Sequence, residues 1–219
     1  SPGACAAGAR PAAATAGALN DGPGMALFLV DSKTPGLKIT GYRTIDNQRA
    51  ANLHFDNVRA GAGDKLGGDD HLAVVEQVMD IATAALVAES VGAMEALQKA
   101  TLEYLKTRRQ FGVPIGTFQA LQHRMVDVLI HLEQARSLTY HAAFYAHAPD
   151  VAQRRRAVSA AKVQVGEAAR FIGQQAIQLH GGIGMTDELS VGHYVKRLTM
   201  INATFGNMDT HLERFAALA

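Results

Sequence analysis

The residues able to carry chemistry in this chain fall into a few clusters. Arg108 and Arg109 sit side by side where a long helical pattern ends, and two guanidiniums there favour the negative pole of the helix dipole. Gly181-Gly182-Ile183-Gly184 has the glycine density of a dinucleotide-binding loop. It follows a helical run rather than a strand, however, so a Rossmann reading fails its own context test. Taken alone it is a helix C-cap, whose backbone amides could still lie against a flat or anionic cofactor because glycine lets the main chain approach closely. His71, His123, His131, His141, His147 and His211 show no i, i+4 pairing with a nearby carboxylate, so no metal site is expected. Arg154, Arg155 and Arg156 lack interleaved aromatics and read as a solvated helix face. No Ser-His-Asp arrangement is legible from spacing.

These residues must be positioned by helices. From His71 onward, Val75, Val78, Met79, Ala82, Leu86, Val87, Val91, Met94, Leu97, Leu102 and Leu105 recur at three-four spacing. Gly112, Pro114 and Gly116 interrupt the pattern, and Thr117 is the expected N-cap of a second helix running to Tyr145, with Leu121, Met125, Val128, Leu132, Ala135 and Thr139 on one face. After Pro149-Asp150 a third helix runs from near Val151 to Leu179, rich in small residues that imply close helix contact. A fourth segment from about Glu188 to Ile201 and a tail from Asn207 to Leu218 complete the pattern. The fold class expected is mainly α, a C-terminal four-helix up-and-down bundle of residues 69–219 preceded by a small partial β domain of residues 25–68. The β segment rests on Met25–Asp31, Leu37–Arg43 and Ala51–Phe55, three apolar stretches separated by turn residues that make an incomplete sheet. Residues 1–24 are mostly Ala, Gly and Pro and read as an irregular lead-in.

Composition narrows the function classes. The 219 residues are 48% hydrophobic, enough to bury a substantial core. A net charge of +1 offers no electrostatic case for nucleic acid or an anionic membrane. Cys5 is the single cysteine, which excludes an intrachain disulfide framework. No apolar run is long enough to span a bilayer, and no targeting signal is visible, so a cytoplasmic protein is expected.

Two longer motifs carry the reading further. Tyr104-(x3)-Arg108-Arg109-Gln110-Phe111-Gly112-x-Pro114-Ile115-(x2)-Phe118-Gln119 resembles the flavin-binding signature of the acyl-CoA dehydrogenase family. Downstream, Gln178-Leu179-His180-Gly181-Gly182-Ile183-Gly184-Met185-Thr186-(x)-Glu188 is similar to that family's second hallmark, and MALFLVD, Pro35-Gly36-Leu37 and LHFDNV are similar to the later part of its middle β domain. The resemblance covers roughly residues 25–219. It implies FAD as cofactor, an acyl-CoA substrate, an electron-transfer flavoprotein as electron acceptor, and a homo- or hetero-oligomer formed through the bundle. By the same resemblance Arg108 approaches the pyrophosphate, Gln110, Phe111, Ile115, Phe118 and Gln119 line the neighbouring turn, and Gln178, Gly181 and Gly182 meet the cofactor from a companion subunit.

The resemblance breaks at the catalytic base. Family chemistry removes the α-proton of an acyl-CoA with a carboxylate while the β-hydrogen leaves as hydride to the flavin. Phe205 stands where most members carry Glu, and Ala82 stands at the alternative helix position. Asp80, Glu76 and Asp209 are the nearest carboxylates. Two functions follow: an FAD-dependent acyl-CoA dehydrogenase-like oxidoreductase whose subunit lacks its own catalytic Glu, or a non-catalytic assembly subunit or truncated remnant of the family.

Overall fold

The computed structural model describes residues 12–14, 25–67 and 71–218. Cys5 and most of the Ala/Gly/Pro stretch lie outside them. The described chain forms two compact units, one ending at Val78 and one starting at Met79. No helix among the described residues is long and apolar enough to cross a membrane.

In the first unit, Ala12–Ala14 (β1) pairs antiparallel with Met25–Phe28 (β2), which pairs in turn with Lys65–Leu66 (β5). Leu37–Arg43 (β3) and Arg49–Phe55 (β4) form a separate hairpin in register from Leu37↔Phe55 to Arg43↔Arg49. The expected lead-in therefore contains a strand at Ala12–Ala14, and the single incomplete sheet is two small ones. The physical reason is that strand pairing is satisfied by backbone groups. The open edge of β2 recruits alanines that carry no strand signal of their own. The β3–β4 turn forms at Asp46-Asn47, where Asn47 takes φ +64.

The second unit is helical. Leu72–Thr107 (α1, whose first turns belong to the first unit) leads through the short strands Arg109–Gln110 (β6) and Val113–Pro114 (β7) into Gln119–Tyr145 (α2). Val151–His180 (α3), Ser190–Ala203 (α4) and Met208–Ala216 (α5) follow. Asp150 caps α3 by accepting from Ala152 N at 2.9 Å and Gln153 N at 3.2 Å. Helix α3 is the common neighbour, packing on α2, α4 and α5. Its small residues allow this: a β-carbon on Gly166 would lie 2.7 Å from Asn202 Oδ1 and 2.7 Å from Met208 Cγ. The core combines Val87, Met94, Leu97 and Leu105 of α1 with Met125, Val128 and Leu132 of α2, Val165 and Ile172 of α3, and Leu198 of α4.

Three carboxylates of α1, Glu95, Glu89 and Asp80, pair with arginines of the other helices. Arg136 on α2 meets Glu95 at 2.5 Å, and Arg197 on α4 meets Glu89 at 2.6 Å, both at the surface. The third is buried. Asp80, fully enclosed on α1, accepts from Arg154 Nε at 3.0 Å and from Arg214 Nη1 at 2.6 Å, while Arg154 Nη1 also donates to Ala148 O at 3.2 Å. Arg154 is only 4% exposed, which corrects the reading of the arginine triplet as a solvated face. It occupies the inward stripe of α3 with Ala157, Val158 and Ala161, and its charge is tolerated there because a carboxylate waits opposite.

Removing one member of a buried ion pair leaves the other charge uncompensated. Arg154→Ala is expected to lower unfolding free energy by about 3–5 kcal/mol, read from the urea midpoint. A loss below about 1 kcal/mol would show that the pair does not hold α1 to α3.

Candidate cofactor-binding end of the bundle

The α1–α2 connection is built by local backbone rules. Helix α1 closes with Arg108 N–H donating to Tyr104 O at 2.8 Å, and Ile115 N–H returns to Arg108 O at 2.8 Å. Between them β6 and β7 form a minimal hairpin whose two turn residues, Phe111 and Gly112, take φ +51 and +81. Consecutive positive φ values match the twist of a two-residue hairpin, and Gly112 adopts its value without strain. Arg109 Nη2 donates to Gly112 O at 2.8 Å and locks the turn. Phe111 is thereby pushed out, 91% exposed, with its ring edge-on to Phe118 at 6.2 Å. Thr117 does not cap α2 as expected. Ile115–Thr117 form a 3₁₀ turn in which the Thr117 hydroxyl donates to Pro114 O at 2.8 Å, and Phe118 occupies the N-cap position.

The glycine cluster behaves as a C-cap. Gly181 at φ +66 closes α3, its N–H reaching Gln178 O and Ile177 O. One residue earlier, His180 is buried, and its Nδ1–H donates to Ala176 O at 2.8 Å. The His180 ring lies 4.5 Å from the ring of Tyr104. This contact joins the first residue of one motif to the centre of the other, so both sit at one end of the bundle. Arg108, Gln110, Phe111, Phe118, Gln119, Gln178, Gly181 and Gly182 are all exposed there. Ile115 differs, being half-buried against the core. Behind the turn lies an apolar cavity of about 480 Å³ lined by Leu102, Leu105, Pro114, Gly116, Gln122 and Met125.

The position read for the catalytic base is elsewhere. Phe205 lies in the α4–α5 loop, opposite Lys162 of α3, and Lys162 to His180 spans about 27 Å of helix. Phe205 takes φ +58 and is 40% exposed. Ala82 is half-buried on α1. Among the carboxylate candidates, Asp80 is saturated by two guanidiniums and sealed from solvent, the geometry of a structural anchor rather than of a base that must reach a substrate. Asp209 is exposed in the first turn of α5, and Glu76 lies in the first unit.

Two functional-looking groups were missed by sequence reasoning. Lys162 is 1% exposed, and its Nζ donates to Ile201 O at 2.5 Å and Thr204 O at 2.8 Å. Burial pulls its ammonium down to about 8 from its usual 10.5. The signal available was a lone lysine inside the apolar run Ala160-Ala161-Lys162-Val163. His211 is also buried. Its Nε2 faces the carbonyl of Phe205 at 3.0 Å, which can only accept, so Nε2–H donates and Nδ1 accepts from the Ser159 hydroxyl at 3.2 Å. Burial above all pulls this imidazole below its usual range, against the hydrogen bond to Phe205, which favours the protonated form.

Residues 72–218 match the family profile described as Acyl-CoA dehydrogenase, C-terminal domain. The chain belongs to the acyl-CoA dehydrogenase family. It is 40% identical over 120 residues to acyl-CoA dehydrogenase IpdE2 of Mycobacterium tuberculosis, covering 55% of this chain and 36% of that protein. It is 30% identical over 184 residues to the mitochondrial short-chain specific acyl-CoA dehydrogenase of Rattus norvegicus, covering 81% of this chain and 44% of the other. Among solved structures, the FAD complex of PigA superposes with a TM-score of 0.86 at 27% identity over 95% of this chain and 55% of that one. The ChsE4-ChsE5 complex of Mycobacterium tuberculosis does so with 0.82 at 26% identity over 96% and 54%. The chain thus spans about half, or less, of the length of the relatives it matches. The family resemblance read from the two motifs and the mainly helical class are both upheld.

Lys162 also has a signature in stability. Its folded value near 8 lies below the usual 10.5, so between these pH values the unfolded chain binds the proton that the folded chain has lost. Relative to a neutral side chain, stability is therefore expected to rise from pH 8 to 10. The check is the denaturant midpoint of the native chain minus that of Lys162→Met across this window. A flat difference would contradict the lowered value.

Proposed function

We propose that the chain is the flavin-binding C-terminal part of an FAD-dependent acyl-CoA dehydrogenase-like oxidoreductase that introduces an α,β double bond into an acyl-CoA thioester. The observation that carries this reading is the Tyr104–His180 contact, which gathers the arginine turn and the glycine cap at one exposed end of the bundle. The residues there suit FAD. Arg108 is exposed, and among the described residues no acceptor meets its guanidinium, leaving its donors for a pyrophosphate. Phe111 and Phe118 offer apolar faces, while Gln110, Gln119 and Gln178 offer amides, around glycines that admit close approach at Gly181 and Gly182. When bound, FAD supplies the acceptor for the β-hydrogen. An electron-transfer flavoprotein would then reoxidise it, as the family resemblance implies.

The site is completed by another subunit. The cofactor turn and the Phe205 loop are about 27 Å apart along α3, so one chain lends its turn to one flavin and its loop to another. Val126, Leu129 and Ile130 form an exposed apolar patch on α2, 53%, 45% and 49% exposed, which supports association through the bundle. The proposed organisation is a partial β domain at 25–68 and a C-terminal-type bundle at 69–219, in a cytoplasmic protein. Phe205 cannot accept a proton, and Asp80 is occupied, so the base comes from a partner chain. Those same two residues favour the second reading, a non-catalytic assembly subunit.

Arg108→Ala is expected to weaken FAD binding by about 10- to 100-fold in the assembled protein, the loss of one charge-assisted hydrogen-bond pair, with helical circular dichroism unchanged. Unaltered flavin occupancy would sink the turn assignment. Phe205→Glu places a carboxylate at the family position, and the flavin-loaded assembly carrying it is expected to bleach anaerobically with acyl-CoA. Failure to bleach would argue that the loop does not face the reacting carbons.

A further inference from the structure

Lys162 and His211 belong to neither cofactor motif, yet both are buried polar groups aimed at one short loop. Lys162, with three donors, spends two of them on Ile201 O at 2.5 Å and Thr204 O at 2.8 Å, at the negative pole of α4. His211 donates to Phe205 O at 3.0 Å and is itself oriented by the Ser159 hydroxyl at 3.2 Å. On the far side, Asn207 Oδ1 accepts from Thr210 N at 2.9 Å and from its hydroxyl at 2.8 Å, starting α5. Asp80 is saturated by Arg154 and Arg214, so it does not compete for Lys162.

Between these anchors Phe205 and Gly206 take φ +58 and +98. Glycine adopts this region freely, whereas the β-carbon of phenylalanine crowds the following carbonyl there. Such a conformation persists only when its surroundings over-determine it. Here the surroundings are the two carbonyls, Thr204 O and Phe205 O, gripped from α3 and α5. The reward is a ring that is 40% exposed on an otherwise pinned backbone.

We propose that Lys162 and His211 are positioning residues that hold Phe205 in one left-handed conformation and so fix the aromatic wall it presents to the acyl thioester. The proposal rests on the acyl-CoA dehydrogenase reading of the same loop given above. It goes beyond that reading in assigning Phe205 a binding role in place of the missing carboxylate, and in naming the groups that set it.

The test combines limited chymotrypsin digestion of the full chain with acyl-CoA titration of the flavin-loaded assembly. Cleavage after Phe205 is expected to be about tenfold faster in Lys162→Met and in His211→Leu, the equivalent of losing one or two hydrogen bonds, while cleavage after Phe171 inside α3 is unchanged. His211→Gln keeps an N–H donor and is expected to recover most of the native resistance. Butyryl-CoA and octanoyl-CoA, followed by the visible flavin band, are expected to bind about fivefold more weakly to Lys162→Met with FAD affinity unaltered, since FAD is held at the Arg108 turn. Equal cleavage after Phe205 in all variants, or acceleration shared equally with Phe171, would overturn the positioning role, as would unchanged acyl-CoA affinity. Digestion needs no flavin. A native chain that takes up no FAD with any partner, yet loses loop resistance in Lys162→Met, would remove the dehydrogenase reading while upholding the hold on the loop.

Discussion

Close packing along α3 is the constraint on which the helical unit depends. This helix touches α2, α4 and α5, and at Gly166 it comes so near Asn202 and Met208 that a β-carbon would not fit. Backbones brought this near exclude water from polar groups that fall on the inward stripe. Arg154, Ser159, Lys162 and His180 all do so, and each is matched: Asp80 for Arg154, His211 for Ser159, two carbonyls for Lys162, and Ala176 O for His180. Leaving a buried polar group without such a partner costs free energy.

The same helix separates two tasks. Its C-terminal end, tied to α1 through the tilted contact of the His180 and Tyr104 rings, carries the exposed glycine cap beside the arginine turn of the α1–α2 connection. Its N-terminal half grips the α4–α5 loop from below through Lys162. The helix itself fixes the spacing between these two sets of groups, because its rise per residue is constant.

The carboxylate question shows why a list of nearby acids is a weak guide. Asp80, Glu76 and Asp209 are equivalent on paper, yet Asp80 is sealed between two guanidiniums while Asp209 faces solvent at a helix start. Burial and partners decide what a carboxylate can do, and neither is a property of its position in the chain.

Much of the fold was legible beforehand because its causes are local. Three-four apolar spacing marked α1, α2 and α3, Pro149-Asp150 marked the start of α3, and Gly181 marked its end, since capping and helical periodicity act over a few residues. Strand β1 and the short strand β5 were not legible, because two or three residues paired on a distant edge carry no periodic signal. The sequence by itself determined the helical order, the two motifs and the absence of Glu at residue 205. Only the tertiary structure decided that Arg154 turns inward, that Tyr104 meets His180, and that Lys162 and His211 converge on the loop of Phe205. The contacts of Arg154, Tyr104 and Lys162 join residues far apart in the chain, and they arise only when particular helix faces are packed together; His211 is six residues from Phe205, but its ring is held there by Ser159 of α3.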